Sequence, residues 1–96
     1  MAVYVVAQLN FRDRERYDKY QAAFFSTIEG IECTPLAGDE TPTVIEGDWQ
    51  YDKVVLLSFK DQKNFELWAN SDAYQKIAVD RRAGAEGPVL LVKGMG

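Results

Sequence analysis

The stretch EGDWQYDKVVLLSF occupies residues 46–59 and decides the fold of this chain. Its second half, KVVLLSF at 53–59, is apolar at almost every position, and successive side chains of a strand point to opposite faces. A strand that is apolar on both faces is typical of the middle of a sheet that is covered on both sides. The first half places the carboxylates of Glu46 and Asp48 beside the indole of Trp49. We therefore expect a central strand with a polar group of residues at its start.

Length and composition predict a single domain, residues 1–96, in the cytoplasm. The chain has one cysteine and a net charge of −4, and its length is close to the common domain size. The lone Cys33 cannot form an internal disulfide, which fits a reducing compartment. No apolar run approaches the roughly 18 residues of a membrane span. Residues 1–4 enter a strand pattern directly, without the charged region of a signal peptide.

Charge and residue types argue against several classes of function. A net negative charge without a cluster of lysine and arginine disfavours nucleic-acid binding. The chain has no histidine, which removes imidazole metal sites, haem held by histidine, and serine–histidine or cysteine–histidine pairs. The acidic residues lack the spacing of a calcium loop, and the glycines form no phosphate-binding loop. We predict no metal and no cofactor, so acid–base chemistry would use carboxylates, tyrosine, lysine or cysteine.

The hydrophobic pattern predicts six elements in the order β-α-β-β-α-β. Strict alternation indicates strands, and apolar residues at helical spacing behind a capping side chain indicate helices. The predicted strands are residues 2–11, an edge strand at 31–37, the strand at 53–59 and a last strand at 89–92. The first predicted helix is capped by Asp13 and closed by Gly30, and the second consists of two segments capped by Asp61 and Ser71. Loops are predicted at 38–42 and 84–88, and a short extension at 43–46. This order matches the α+β ferredoxin-like sandwich.

The same pattern predicts a homodimer. Helices can cover only one face of a four-stranded sheet, yet the strands at 53–59 and 89–92 are apolar on both faces. An uncovered apolar face of this size is typical of an interaction surface, and a second copy of the chain is the simplest cover. We therefore expect two sheets that pack face to face.

Glu46, Asp48 and Trp49 are the first candidate site. One carboxylate could act as a general base and the indole as the apolar wall of a pocket. The alternative is structural: Gly47 and Asp48 form a turn, since both residue types are common in turns, and Trp49 packs on the partner subunit.

Arg81 is the second candidate. It falls on the same helical stripe as Tyr74, Ile77 and Ala78, at i, i+3, i+4 and i+7. An unpaired charge on a buried stripe costs several kcal/mol, so Arg81 needs a carboxylate partner or an anionic ligand. The sequence leaves two interpretations open, an internal ion pair with Glu46 or Asp48 and a clamp for a carboxylate substrate.

Five further residues are predicted to line a pocket: Tyr4, Trp49, Trp68, Ser71 and Tyr74. Each has a structural alternative. Ser71 suits a helix N-cap, and Trp68 suits the core, as do Tyr17 and Tyr20 with their hydroxyls at the surface.

The combined spacing of several motifs resembles a family of small bacterial proteins known only as a domain of unknown function, within the dimeric α/β-barrel superfamily. The motifs are Tyr17-x-x-Tyr20, Glu46-Gly47-Asp48-Trp49, Phe59, and Trp68-x-x-Ser71-x-x-Tyr74-Gln75 followed by Arg81. The resemblance implies a ferredoxin-like protomer, a homodimer whose sheets form a dimeric α/β barrel, and a cavity between sheet and helices. Relatives in that superfamily include cofactor-free monooxygenases of polyketide quinones, muconolactone isomerase and haem-degrading enzymes.

Three functions are open at this point. The first is a cofactor-independent enzyme, monooxygenase- or isomerase-like, in which Arg81 orients a small anionic or phenolic molecule and Glu46 or Asp48 moves a proton. The second is a non-catalytic module that binds such a molecule. The third is a purely structural dimer in which Glu46 or Asp48 neutralises Arg81 and no cavity remains. Fold analogy does not decide among them.

Overall fold

The computed structural model describes all 96 residues, as an antiparallel sheet with three helices. In chain order the elements are β1 (Val3–Phe11), α1 (Arg14–Thr27), β2 (Cys33–Asp39), β3 (Lys53–Phe59), α2 (Gln62–Ala69), α3 (Asp72–Gly84), β4 (Ala85–Glu86) and β5 (Val89–Lys93). This is the predicted α+β ferredoxin-like fold. None of the helices has the length and apolar character that crossing a membrane requires.

β1 lies at the centre of the sheet. One edge of β1 pairs with β3, which pairs in turn with β2, and the other edge pairs with β5 and then with β4. The register places Val5 opposite Leu57 of β3 and Leu91 of β5. β3 therefore lies inside the sheet, as its sequence predicted, and β2 lies at an edge, where Pro35 needs no ladder donor.

Side chains begin all three helices at the predicted residues. Asp13, Asp61 and Ser71 each accept a hydrogen bond from the backbone N–H three residues later, at 3.3, 2.8 and 3.1 Å. Each cap satisfies a donor that has no partner inside the first turn. Gly30 has a φ of +77° just after α1, as predicted for the residue that closes this helix.

Three predicted boundaries are wrong. β2 continues to Asp39, because a bulge between Pro35 and Ala37 restores its pairing with β3. Residues 43–46 form no strand. Residues 85–86, predicted as loop, pair with the end of β1.

The two faces of the sheet have different surroundings. On one face, alternate residues of β1 and β3 pack under the helices, and the core includes Leu57, Phe59 and Trp68. No helix covers the other face, which we call the open face. The open face comprises Tyr4, Val6, Gln8, Val54, Leu56, Leu90 and Val92.

α1 and α3 meet closely where the first turns of α1 approach the last turn of α3. A Cβ atom on Gly84 would lie 2.4 Å from the backbone nitrogen of Tyr17, so the contact has room only for glycine. Beside it, Arg16 of α1 forms an ion pair with Asp80 of α3 at 2.6 Å. This contact positions the turn of α3 that carries Arg81 against the turn of α1 that carries Tyr17.

Candidate functional site

A cavity of about 640 Å³ lies between the helix-facing side of the sheet and the helices. Alternate residues of the central strands form one wall, among them Ala7, Leu9 and Val55. Residues 35–38 of β2 and side chains of the three helices form most of the rest. Most of the lining residues are apolar, and only a few carry polar groups. An apolar cavity of several hundred Å³ with a few polar groups is typical of small-molecule sites.

Arg81 enters this cavity from α3. It lies on the helix stripe that also buries Tyr74 and Ala78, as its spacing predicted. Its Nε atom is buried and has no hydrogen-bond partner, and none of the ion pairs in the structure involves Arg81. Of the two interpretations that the sequence left open, the internal ion pair with Glu46 or Asp48 is not formed within this chain. A guanidinium does not lose its proton in proteins, so its positive charge stays in the cavity without a partner from this chain.

Three tyrosines surround the same region. The ring centroid of Tyr20 lies 5.7 Å from that of Tyr17 and 6.3 Å from that of Tyr74. Burial raises the pKa of Tyr17 to about 12, and burial, followed by the neighbouring phenol of Tyr74, raises the pKa of Tyr20. Tyr17 and Tyr20 are therefore protonated at neutral pH, and their hydroxyls can donate hydrogen bonds to a ligand.

Trp68 forms a fixed wall of the cavity. Its indole is 4% exposed and packs on Tyr74 with ring centroids 4.0 Å apart. The indole nitrogen donates a 3.0 Å hydrogen bond to the hydroxyl of Thr27. Because this bond satisfies the only polar atom of the ring, Trp68 presents an apolar surface to the cavity.

Lys53 also lines the cavity, and the sequence analysis missed it. It stands opposite Leu9 in the register of β1 and β3, and it is 7% exposed. Its Nζ atom donates to Oε1 of Gln21 and lies 4.9 Å from the centre of the Tyr17 ring. The alternation of β3 could have predicted this position, because it places residue 53 on the same face as Val55 and Leu57.

The charges that line the cavity have one sign. No aspartate or glutamate lines it, whereas Lys53, Arg81 and the more exposed Arg82 do. Cationic groups on a mostly apolar wall favour the binding of an anion. The structure has no group of three or more cysteine, aspartate or glutamate side chains that could hold a metal ion.

Several predicted site residues lie elsewhere. Glu46, Asp48 and Trp49 border a separate groove of about 250 Å³ next to Val54 of the open face. Tyr4 also belongs to the open face, opposite Ser58.

Ser71 caps α3 and does not line the cavity. Of the predicted site residues, the structure therefore brings together Trp68, Tyr74 and Arg81. The sheet separates these three from both carboxylates.

Comparisons with known proteins give a family and a fold. The family model described as "Domain of unknown function (DUF1330)" matches residues 2–95. A search of the curated proteins finds no match to this chain.

Several solved structures share the fold. A protein of unknown function from Rhodopseudomonas palustris has a TM-score of 0.81 at 15% identity, over 99% of this chain and 83% of that chain. A dimeric ferredoxin-like protein of unknown function from Jannaschia sp. CCS1 has a TM-score of 0.69 at 15% identity, over 96% of both chains. SnoaB, a cofactor-independent oxygenase from Streptomyces nogalater, has a TM-score of 0.68 at 11% identity, over 99% of this chain and 94% of that chain.

At these identities the solved structures are evidence for the fold alone. The family model, by contrast, spans almost the whole chain. The chain therefore belongs to the DUF1330 family.

Proposed function

We propose that this chain binds a small, largely apolar organic anion in the cavity between sheet and helices, and that it does so as a homodimer. The observation that carries the proposal is Arg81, whose buried Nε has no partner in a cavity without a carboxylate. The buried Nε–H lacks an acceptor, and an anionic ligand would supply one.

Size and lining narrow the ligand class. A volume of about 640 Å³ suits a molecule of one or two rings. Trp68 and Phe24 supply apolar ring surfaces, and the hydroxyls of Tyr17 and Tyr20 can donate to polar groups of the ligand. We therefore propose an aromatic or alicyclic carboxylate, or a comparably acidic phenol.

The homodimer rests on the open face. Val6 pairs with Leu56 and with Leu90 across three neighbouring strands, so apolar side chains lie side by side on a face without a helix. A second copy of this face would cover it. Dimeric assembly described for the Jannaschia protein, which shares the fold, supports the same arrangement.

A cofactor-independent enzyme that acts on the bound anion is a second candidate. The observation that favours it is Lys53, a buried amine in the same cavity. Glu46 and Asp48, the carboxylates predicted to move a proton, lie across the sheet from Arg81 in one protomer. A catalytic part for these two residues stays a prediction.

Isothermal titration calorimetry with two isosteric probes tests the binding proposal. We expect 2-naphthoate to bind at least about tenfold more tightly than the neutral 2-naphthamide, a difference of ~1.4 kcal/mol. Arg81→Met keeps the apolar stem and should remove this preference. Arg12→Met is the matched control, because Arg12 is exposed, pairs with Glu86 and does not line the cavity. Equal affinity for both probes, or an unchanged preference in Arg81→Met, would contradict the proposal.

A further inference from the structure

We infer that Lys53 is a nucleophilic amine that forms an imine with a carbonyl carbon of a ligand whose anionic group is held by Arg81. This inference rests on the proposed function, because the anion site at Arg81 brings the ligand into the cavity. It adds a covalent step and assigns the amine that performs it.

The position of Lys53 in the fold buries the side chain but leaves its amine accessible from the cavity. Lys53 lies on the helix-facing side of β3, opposite the fully buried Leu9, and its side chain lines the cavity. On β2, a Cβ atom added to Gly38 would lie 3.6 Å from Cε of Lys53. The absence of a side chain at residue 38 therefore leaves room at the end of the lysine.

The hydrogen bonding of Lys53 fits a neutral amine better than an ammonium ion. An ammonium group has three donors, and the side-chain acceptor that Nζ contacts is the uncharged Oε1 of Gln21. No carboxylate lies within ion-pair distance of Nζ. The Tyr17 ring, whose centre lies 4.9 Å from Nζ, compensates the buried charge only in part, so burial still lowers the pKa of Lys53.

The charges around Lys53 partly oppose this effect. Burial is the largest cause and lowers the pKa of Lys53; Glu40 and Asp18 raise it, and Arg14 lowers it. Glu40 is itself held by Arg14 through two hydrogen bonds of 2.8 Å each, and Asp18 also pairs with Arg14. Because burial outweighs the effect of the two carboxylates, the pKa of Lys53 is lowered.

Lys53 and Arg81, two basic side chains of the cavity, differ in chemistry. Arg81 cannot lose its proton and needs an anion, whereas Lys53 can become neutral and then carries a lone pair. A ligand that carries both a carboxylate and an aldehyde or ketone offers a partner of the right chemistry to each group.

The covalent step is balanced without a cofactor. The lone pair of the neutral amine attacks the carbonyl carbon, a carbon–nitrogen double bond forms, and the carbon–oxygen double bond breaks. The two hydrogens of the amine leave with the carbonyl oxygen as one molecule of water. The imine nitrogen then takes a proton from water, and the protonated imine draws electrons from the adjacent carbon, which is how lysine amines activate carbonyl substrates.

Reductive trapping tests the inference on the unmodified protein. The protein is incubated near pH 7 with 4-formylbenzoate and cyanoborohydride, and peptide mass spectrometry follows the uptake of the reduced adduct at each lysine. We expect Lys53 to react at least about tenfold faster than exposed lysines, since a protonated amine is not a nucleophile. Lys60, which is exposed and paired with Glu32, is the internal control.

Two further comparisons tie the reaction to the cavity. Benzaldehyde, which lacks the carboxylate, should not label Lys53 preferentially, and Arg81→Met should remove the preference for 4-formylbenzoate. Saturating 2-naphthoate should slow labelling at Lys53 and leave Lys60 unaffected.

The results separate this inference from the proposed function. If 2-naphthoate binds with the expected charge preference but Lys53 is labelled no faster than Lys60, the inference is wrong and the binding proposal stands. If neither the binding preference nor the labelling is observed, both are wrong. Fast labelling of Lys53 by 4-formylbenzoate that requires Arg81 supports both.

Discussion

The indole nitrogen of Trp49 donates a 3.0 Å hydrogen bond to the side-chain oxygen of Gln8, 41 residues earlier in the chain. Gln8 belongs to the open face of β1, whereas its neighbours Ala7 and Leu9 line the cavity on the other face. The bond therefore holds Trp49 against the open face. Asp48, the neighbour of Trp49 in the chain, lies in the same groove, as does Glu46. The two carboxylates and Arg81 therefore occupy opposite sides of the sheet.

A charge at the centre of the open face should break the proposed homodimer. Leu56 stands opposite Val6 in the middle of this face, so Leu56→Glu would bury a carboxylate between two apolar sheets. We expect the dimer dissociation constant, measured by analytical ultracentrifugation, to rise by at least about a hundredfold, or ~2.7 kcal/mol. Leu67→Glu on the exposed side of α2 is the control and should leave it unchanged. A wild-type monomer at micromolar concentration would contradict the prediction.

Removal of the charge of Arg81 should stabilise the fold while it abolishes selective anion binding. The buried Nε has no partner, so Arg81→Met replaces an uncompensated polar group with an apolar side chain that follows the arginine stem. We expect the free energy of unfolding in urea to rise by about 0.5–2 kcal/mol.

Arg16→Met is a matched comparison in the neighbouring helix. Arg16 is paired with Asp80, so its removal should lower the free energy of unfolding by about 0.2–1 kcal/mol. A loss of stability in Arg81→Met as large as that in Arg16→Met would show that Arg81 has a partner after all.

Gly84→Ala should destabilise the protein and disturb the cavity. The added Cβ would lie 2.4 Å from the backbone nitrogen of Tyr17, so α1 and α3 must separate. Overpacking of this kind costs about 1–3 kcal/mol of unfolding free energy, measurable by urea titration. Gly38→Ala, whose new Cβ would meet Cε of Lys53 at an ordinary 3.6 Å, should change it by less than about 0.5 kcal/mol. A neutral Gly84→Ala would overturn the assignment of this close contact.

The buried phenol of Tyr17 should make stability fall at alkaline pH. Its pKa is raised to about 12 in the folded chain, against about 10 for an exposed tyrosine. The folded state therefore favours the protonated phenol, and this stabilisation is present below about pH 10 and is lost as the pH approaches 12.

The difference in unfolding free energy between wild type and Tyr17→Phe isolates this contribution. It should shrink steadily over the alkaline range, because phenylalanine has no proton to lose. A difference that stays constant with pH would contradict the burial of this hydroxyl.

Much of the fold could be predicted from local pattern. The capping side chains Asp13, Asp61 and Ser71 and the alternation of β1 and β3 depend on neighbours in sequence, and the structure confirms them. β2 was harder to predict: its bulge after Pro35 makes sense only beside β3, whose pairing extends the strand to Asp39.

The sequence by itself determined the order of elements and the two faces of each strand and helix. It also placed Arg81 on the apolar stripe of α3, because helical spacing is a local property. Only the tertiary structure decided which sheet face the helices cover, and hence that Arg81 and Lys53 share an acid-free cavity while Glu46 and Asp48 lie beyond the sheet. The physical reason is that the periodicity of a strand or helix determines which of its residues share a face, whereas the packing of the helices on the sheet determines which residues each face contacts.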